Sequence, residues 1–138
     1  MKRYEQFPHT ADIGVRVYGK DLKELFENAA FAMFDILADL ENLSGDTVEK
    51  FTIEAANPED LLVAWLDELL YNFYTKQLIF FKFTIDEITA THLKATAFGR
   101  PIGSNRNRLR TEIKAATYSD LKIAKTDDGY MVEIIFDV

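Results

Sequence analysis

The sequence predicts an α+β protein, a two-layer sandwich with two helices packed on one face of a mixed or antiparallel sheet. Three observations predict it. Two stretches carry apolar residues at the helical period, most of the remaining chain alternates at the strand period, and strand, helix, then paired strands occurs around each helix. Two strand-helix-strand-strand modules without detectable sequence repetition then combine in a single domain over residues 1–138.

In chain order, strands are predicted at 4–7 and 13–18. A helix over 21–39 follows, because Leu22, Leu25, Phe26, Ala29, Ala30, Met33, Phe34 and Leu37 recur at i, i+3 and i+4. Asp21 and Glu24 have the spacing of a capping box and place its start. After a strand at 48–55, Asn57 supplies an N-cap, Pro58 the first helical position, and Glu59 and Asp60 suit the positive end of the helix dipole. The buried stripe of this second helix is Leu62, Trp65, Leu66, Leu69, Leu70 and Phe73, and the apolar stripes of both helices are read as core. Strands at 79–88, 92–98, 111–124 and 130–137 complete the chain. Asp128-Gly129 is a hairpin signal between the last two, and antiparallel pairing there would bring Glu112 and Lys114 close to Asp137.

Composition narrows the function classes. At this length the chain can bury roughly two-thirds of its unfolded surface, so it is expected to fold as one compact unit. Cysteine is absent, which excludes disulfides, thiolate metal sites and thiol nucleophiles and fits a reducing cytoplasm. No signal peptide pattern opens the sequence, and no uncharged run approaches the ~18 residues of a membrane span, so a cytoplasmic location is expected. A net charge of −7 argues against broad nucleic-acid affinity, since phosphate neutralisation needs an excess of Lys and Arg. No Walker-type loop is present and no serine has an evident His and Asp pair, which makes conventional nucleotide hydrolysis and acyl transfer poor readings.

The candidate chemistry lies at two distant places in the chain. Residues 130–136 alternate as a strand that ends at Asp137 and the carboxylate of Val138, which places two carboxylates together on stiff backbone. Near the other end, His9-Thr10-Ala11-Asp12 is a compact acid and imidazole cluster before a strand. Each segment alone reads as a solvated turn or strand end. If Asp12 and the terminus converge, charges ~4 Å apart repel by about 4 kcal/mol per pair at an effective dielectric of 20, so a cation or Lys114 must compensate. Oxygen-only ligands favour Ca²⁺ or Mg²⁺ over Zn²⁺. Lys114 itself lies in a segment where Ile113, Ala115 and Thr117 would share one face and Lys114, Ala116 and Tyr118 the other; it is either solvated or a contact for phosphate or the acids. The stretch 99–110, with Arg100, Arg106, Arg108 and Arg110, is either a surface hairpin or a phosphate or RNA contact.

Together these motifs resemble the archease family. The matching pieces are His9-Thr10-Ala11-Asp12 with the strand ending at Gly19, then Asp60-Leu61-Leu62 with Trp65-Leu66-Asp67-Glu68-Leu69-Leu70-Tyr71. Glu112-Ile113-Lys114-Ala115 through Thr117-Tyr118 and the closing Phe136-Asp137-Val138 complete the pattern, which spans the whole chain. The resemblance implies an accessory factor of the RtcB-type tRNA-splicing ligase, which joins RNA ends carrying a 2′,3′-cyclic phosphate and a 5′-hydroxyl. It implies promotion of ligase guanylylation and multiple turnover without enzymatic activity of its own. It also implies metal ligation, usually of calcium, by Asp12, Asp137 and the Val138 carboxylate, and a functionally needed lysine at Lys114. His9 belongs to the same functional cluster. Many members carry His after the Thr-Tyr pair, where this chain has Ser119. The rival readings are an independent metal-dependent enzyme acting on phosphate esters, with Lys114 stabilising charge, and a chaperone-like or RNA-binding module using the arginine stretch.

Overall fold

A computed structural model describes residues 2–9 and 11–138. The chain opens with an antiparallel hairpin, β1 (Tyr4–His9) and β2 (Asp12–Gly19), and enters helix α1 (Leu22–Leu37). The cap forms as the spacing requires: Asp21 accepts the Glu24 N–H at 2.8 Å, and the Glu24 carboxylate reaches back to the Lys20 N–H at 3.0 Å. Strand β3 (Thr47–Glu54) leads into α2 (Pro58–Lys76), where the Asn57 side chain accepts the Asp60 N–H at 2.8 Å. That helix ends where Gln77 turns left-handed at φ 57°, and the hairpin β4 (Leu78–Ile88) and β5 (His92–Pro101) follows. A 3₁₀ segment, Gly103–Arg108, precedes the short strands β6 (Ala115–Ala116) and β7 (Ala124–Thr126), and β8 (Gly129–Asp137) closes the fold.

The α+β class is as expected, but the strands divide into two sheets, and every pairing is antiparallel. One sheet runs β1-β2-β8-β6 with β7 also paired to β8; the other runs β3-β5-β4. The module β3-α2-β4-β5 keeps its strands in one sheet, whereas the sheet that α1 leaves through β2 is completed by β8. The reason lies in α1. Besides the stripe read from the sequence, Ala32 and Ile36 are buried, and Asn28 is buried with its amide donating to the Tyr18 carbonyl at 2.7 Å. A helix apolar on most of its circumference must be covered on more than one side. It packs against β2 of the first sheet and β4 of the second.

The core is aromatic at its centre. Phe34 of α1 meets Phe73, Phe80 and Phe83 with ring centroids 5.8, 5.5 and 5.6 Å away, and Trp65 of α2 packs against Phe51 while its indole N–H donates to the Phe26 carbonyl at 3.1 Å. The Phe34–Phe83 pair is tilted and the others are edge-on, and edge-on ring contacts add about 0.5–1.5 kcal/mol per pair beyond simple burial. The helix stripes are core, as expected.

One predicted strand is not formed as such. Over 111–124 the only residues in register with β8 are Ala115 and Ala116 and, after a break, Ala124, which opens β7. The hairpin register, Thr126 opposite Gly129, would set Asp137 opposite Tyr118, yet its partner is Ala115. The extra residues are taken up between Thr117 and Ile123, where Asp120 adopts φ 53° and the Leu121 N–H bonds the Tyr118 carbonyl. Upstream, the Arg110 and Thr111 N–H groups donate to the Leu37 and Ile36 carbonyls, so this stretch completes the end of α1 instead of a sheet. Ile113 and Ala116 are consequently the buried residues and Lys114 is exposed, which replaces the strict alternation expected there. No helix among the described residues is long and apolar enough to cross a membrane.

Gly19 lets helix and sheet approach, and Gly129 lets the β7–β8 turn close on the end of β2. A Cβ on Gly19 would stand 2.3 Å from the Leu25 backbone N, and Gly129, at φ 151°, lies against the Gly19 carbonyl. Gly19→Ala is therefore expected to lose about 1–3 kcal/mol by forcing β2 and α1 apart, read as a lower urea midpoint; an unchanged midpoint would contradict so close an approach.

Candidate functional site at the end of the five-stranded sheet

The site is assembled by register. Ile13 pairs with Phe136 as the last pair of the β2–β8 ladder, and Asp12 and Asp137 each lie one residue beyond it at the same end of the sheet. On the other edge of β8, Ala115 is the partner of Asp137, and the Lys114 N–H donates to the Asp137 carbonyl at 2.7 Å. The β1–β2 hairpin sets the His9 backbone opposite Asp12. Four adjacent strands thus end in a row: His9, Asp12, Asp137 and Ala115, with Lys114 and Val138 one residue away. The side chain of His9, and Thr10, lie outside the described residues.

Strand alternation fixes the direction of the two acids. Phe136 points into the core and is fully buried, so Asp12 and Asp137 project from the opposite face. Asp12 is partly buried, Asp137 and Lys114 are exposed, and Val138 packs against the edge of the core. Among the described residues no three His, Cys, Asp or Glu side chains gather as a metal site. A cation at this row would accordingly draw on two side-chain carboxylates and on main-chain oxygen, a hard, all-oxygen donor set.

The same face is braced behind the acids. Arg16 on β2 bridges Glu5 on β1 at 2.7 Å and Glu133 on β8 at 2.6 Å, tying three strands together. Glu5 also accepts the Tyr18 hydroxyl at 2.7 Å and the Lys2 ammonium at 3.0 Å. The Tyr18 hydroxyl, Arg16 and Lys2, in that order of effect, hold the Glu5 carboxyl down at about 2. Between this network and the acids, Phe7 lies on Gly14, where a Cβ would come within 2.5 Å of its ring.

Helix α2 holds the other side. The Asp67 carboxylate accepts the Ala116 N–H at 3.0 Å, the Glu59 carboxylate accepts the Ile123 N–H at 3.0 Å, and the Tyr74 hydroxyl donates to the Ile113 carbonyl at 2.7 Å. Burial pushes the Asp67 carboxyl above its ordinary range, opposed by that one N–H. Sequence reasoning gives Asp67 only as part of a motif and Glu59 only as a helix-dipole residue. A signal is nevertheless present, because Asp67 stands four residues after Val63 and three before Leu70, both buried, on an otherwise apolar line.

The arginine stretch is bonded internally. Arg108 donates to the Asp39 and Glu41 carbonyls at 3.1 and 2.7 Å, Arg100 to the Ser44 carbonyl at 3.1 Å, and Arg106 to the Gln77 side chain at 2.8 Å. Arg110 lies 3.6 Å from the Asp39 carboxylate and donates to the Asp35 carbonyl at 3.4 Å. Three of these cations serve main-chain carbonyls at and beyond the C-terminal end of α1, whose last turn has no basic residue of its own.

Comparison with known proteins places this geometry in company. Residues 4–138 match the family described as "Archease protein family (MTH1598/TM1083)". "Protein archease" of Methanosarcina acetivorans is 41% identical, with 99% of this chain and 97% of that protein covered, and its counterpart in Sulfurisphaera tokodaii is 36% identical with both covered completely. The solution structure of protein 1598 of Methanobacterium thermoautotrophicum is 37% identical and superposes with a TM-score of 0.82 over all of both chains. A crystal structure of an archease, possible chaperone, from Thermotoga maritima shares the fold, with a TM-score of 0.68 at 21% identity over 97% of this chain and 96% of that one.

The depressed Glu5 carboxyl makes a pH prediction. Its folded value lies below the unfolded value of about 4.3, so its contribution is present above that pH and fades as the pH falls toward 2. In a carboxyl NMR titration Glu5 is expected to remain largely ionised at about pH 3, where an ordinary glutamate is largely protonated; a midpoint near 4 would contradict the bracing network.

Proposed function

This chain belongs to the archease family, and from that premise we propose that it acts as a protein cofactor of an RtcB-type RNA ligase in tRNA splicing and RNA repair. In this reading it works in the cytoplasm, docks on the ligase and promotes its guanylylation and multiple turnover, while the ligase performs the chemistry. The observation that carries the reading is the row at the sheet end: Asp12 and Asp137 each one residue beyond the Ile13–Phe136 pair, and Lys114 bonded through its backbone to Asp137, in a chain matched along residues 4–138.

Asp12, Asp137 and the carboxylate at Val138 would hold a divalent cation, Ca²⁺ or alternatively Mg²⁺, which relieves the mutual repulsion of the acids and offers open positions to an oxygen of the partner. Strands β2 and β8 keep the two aspartates in register, so little ordering is needed at the moment of docking. Lys114, exposed and bonded to Asp137 through its backbone, carries a compact ammonium suited to a phosphate oxygen brought by the ligase. His9 lies next in the row through its backbone and is assigned to the same functional surface.

The test is multiple-turnover ligation of RNA ends bearing a 2′,3′-cyclic phosphate and a 5′-hydroxyl by a purified RtcB-type ligase. The protein is expected to raise the sustained rate, and Asp12→Ala or Asp137→Ala to remove most of that gain, on the order of tenfold or more, the factor produced by about 1.4 kcal/mol. Melting of Asp137→Ala should hardly change, because an exposed acid contributes little to stability. Lys114→Arg should fold and bind metal yet stimulate poorly, since a planar fork does not replace a point charge. Full stimulation by Asp137→Ala would overturn the reading, and hydrolysis of phosphate esters without any ligase would favour an independent enzyme.

A further inference from the structure

The segment that carries Lys114 has little sheet of its own. Only Ala115–Ala116 pairs with β8 as a ladder, flanked by the Lys114 N–H on the Asp137 carbonyl and the Thr117 N–H on the Ile135 carbonyl, and this short strand lies at the edge of its sheet. An edge strand leaves its outward N–H groups without a ladder partner, and so short a strand is weakly held by pairing alone. The outward bonds here run to α2. Tyr74 takes the Ile113 carbonyl, Asp67 takes the Ala116 N–H, and Glu59 takes the Ile123 N–H, so contacts from one helix bracket Lys114 and the turn after it.

Resting on the ligase-cofactor reading, we propose that Asp67 is a positioning residue: by accepting the Ala116 N–H, helix α2 fixes the height of the Lys114 segment against Asp137 and so sets where the ammonium is presented. Asp67 and Tyr74 stand seven residues apart, two turns along one face, and grip the segment on either side of Lys114. Since α2 is anchored in the core by Trp65, Leu66 and Leu69, all fully buried, the position of Lys114 is referred to the core rather than to a surface strand. The carboxylate is half-buried and, among the described residues, accepts a single backbone N–H, an arrangement a packing residue would avoid. An asparagine offers the same acceptor at the same reach without the charge. A glutamate keeps the charge but is longer by one methylene, which pushes the segment outward. Displacements of about 1 Å in a positioned group can lower a rate up to a hundredfold.

The experiment compares Asp67→Asn, Asp67→Glu and Asp67→Ala with wild type in two readouts, amide hydrogen exchange by NMR and ligase stimulation, with melting as a control. Asp67→Asn is expected to keep slow exchange at Ala116 and to keep stimulation. Asp67→Glu is expected to melt like wild type while losing about tenfold in stimulation. Asp67→Ala is expected to speed exchange at Ala116 about tenfold or more and to lose stimulation as well. Unchanged exchange at Ala116 in Asp67→Ala, or full stimulation by Asp67→Glu, would overturn the proposal. Should Asp67→Ala fail to fold, the Asn and Glu pair decides between position and charge. If wild type does not stimulate the ligase, the functional reading falls while the exchange measurement still decides whether Asp67 holds the segment.

Discussion

Strand β8 is hydrogen-bonded on both edges, to β2 from Ile13 to Gly19 and to β6 and β7 on the other side, and the placement of every candidate functional residue depends on that pairing. Its inward residues Val132, Ile134 and Phe136 are fully buried against the core, so a slip of one residue would turn them all to solvent. The register is therefore held by the hydrophobic core. The same register ends with Ile13 opposite Phe136, one residue short of Asp12 and Asp137, and the Lys114 backbone reaches the Asp137 carbonyl, so the energy that folds the sheet also aligns the row at its end.

A second dependence runs through α1. Because most of its circumference is apolar, it sits against strands of both sheets, and its C-terminal carbonyls point into a region closed by the arginine stretch. Cations from distant sequence meet those carbonyls, and the Arg110 and Thr111 N–H groups bond the last turn directly. That use of 109–111 explains why the predicted strand begins only at Ala115, and why side chains of α2 hold the Lys114 segment.

Much of this was legible in the sequence, and the remainder fails for identifiable reasons. Both helices, with caps at Asp21 and Asn57, follow from local chemistry, as does the hairpin at Asp128-Gly129. The second buried face of α1 is encoded in Ala32 and Ile36, but a search for one stripe passes over it, and with it the division into two sheets. The break within 111–124 was harder to read, since Thr117, Tyr118 and Ile123 all favour strands and only the Ser119-Asp120 pair hints at a turn. The arginines illustrate a general limit: composition shows a cluster of cations, whereas their partners are carbonyls more than fifty residues away in sequence for Arg100, Arg108 and Arg110. At the candidate site, the sequence named Asp12, Asp137 and Lys114, while the supporting carboxylate of Asp67 became visible only through its bond to Ala116.

The central claim is that the ends of β2, β8 and β6 form one site. Calcium titration followed by amide NMR tests it most directly. A single saturable set of shifts at Asp12, Lys114, Asp137 and Val138, with one shared affinity and little change elsewhere, is the predicted result. Shifts scattered over the other surface acids, or separate affinities at Asp12 and Asp137, would contradict it.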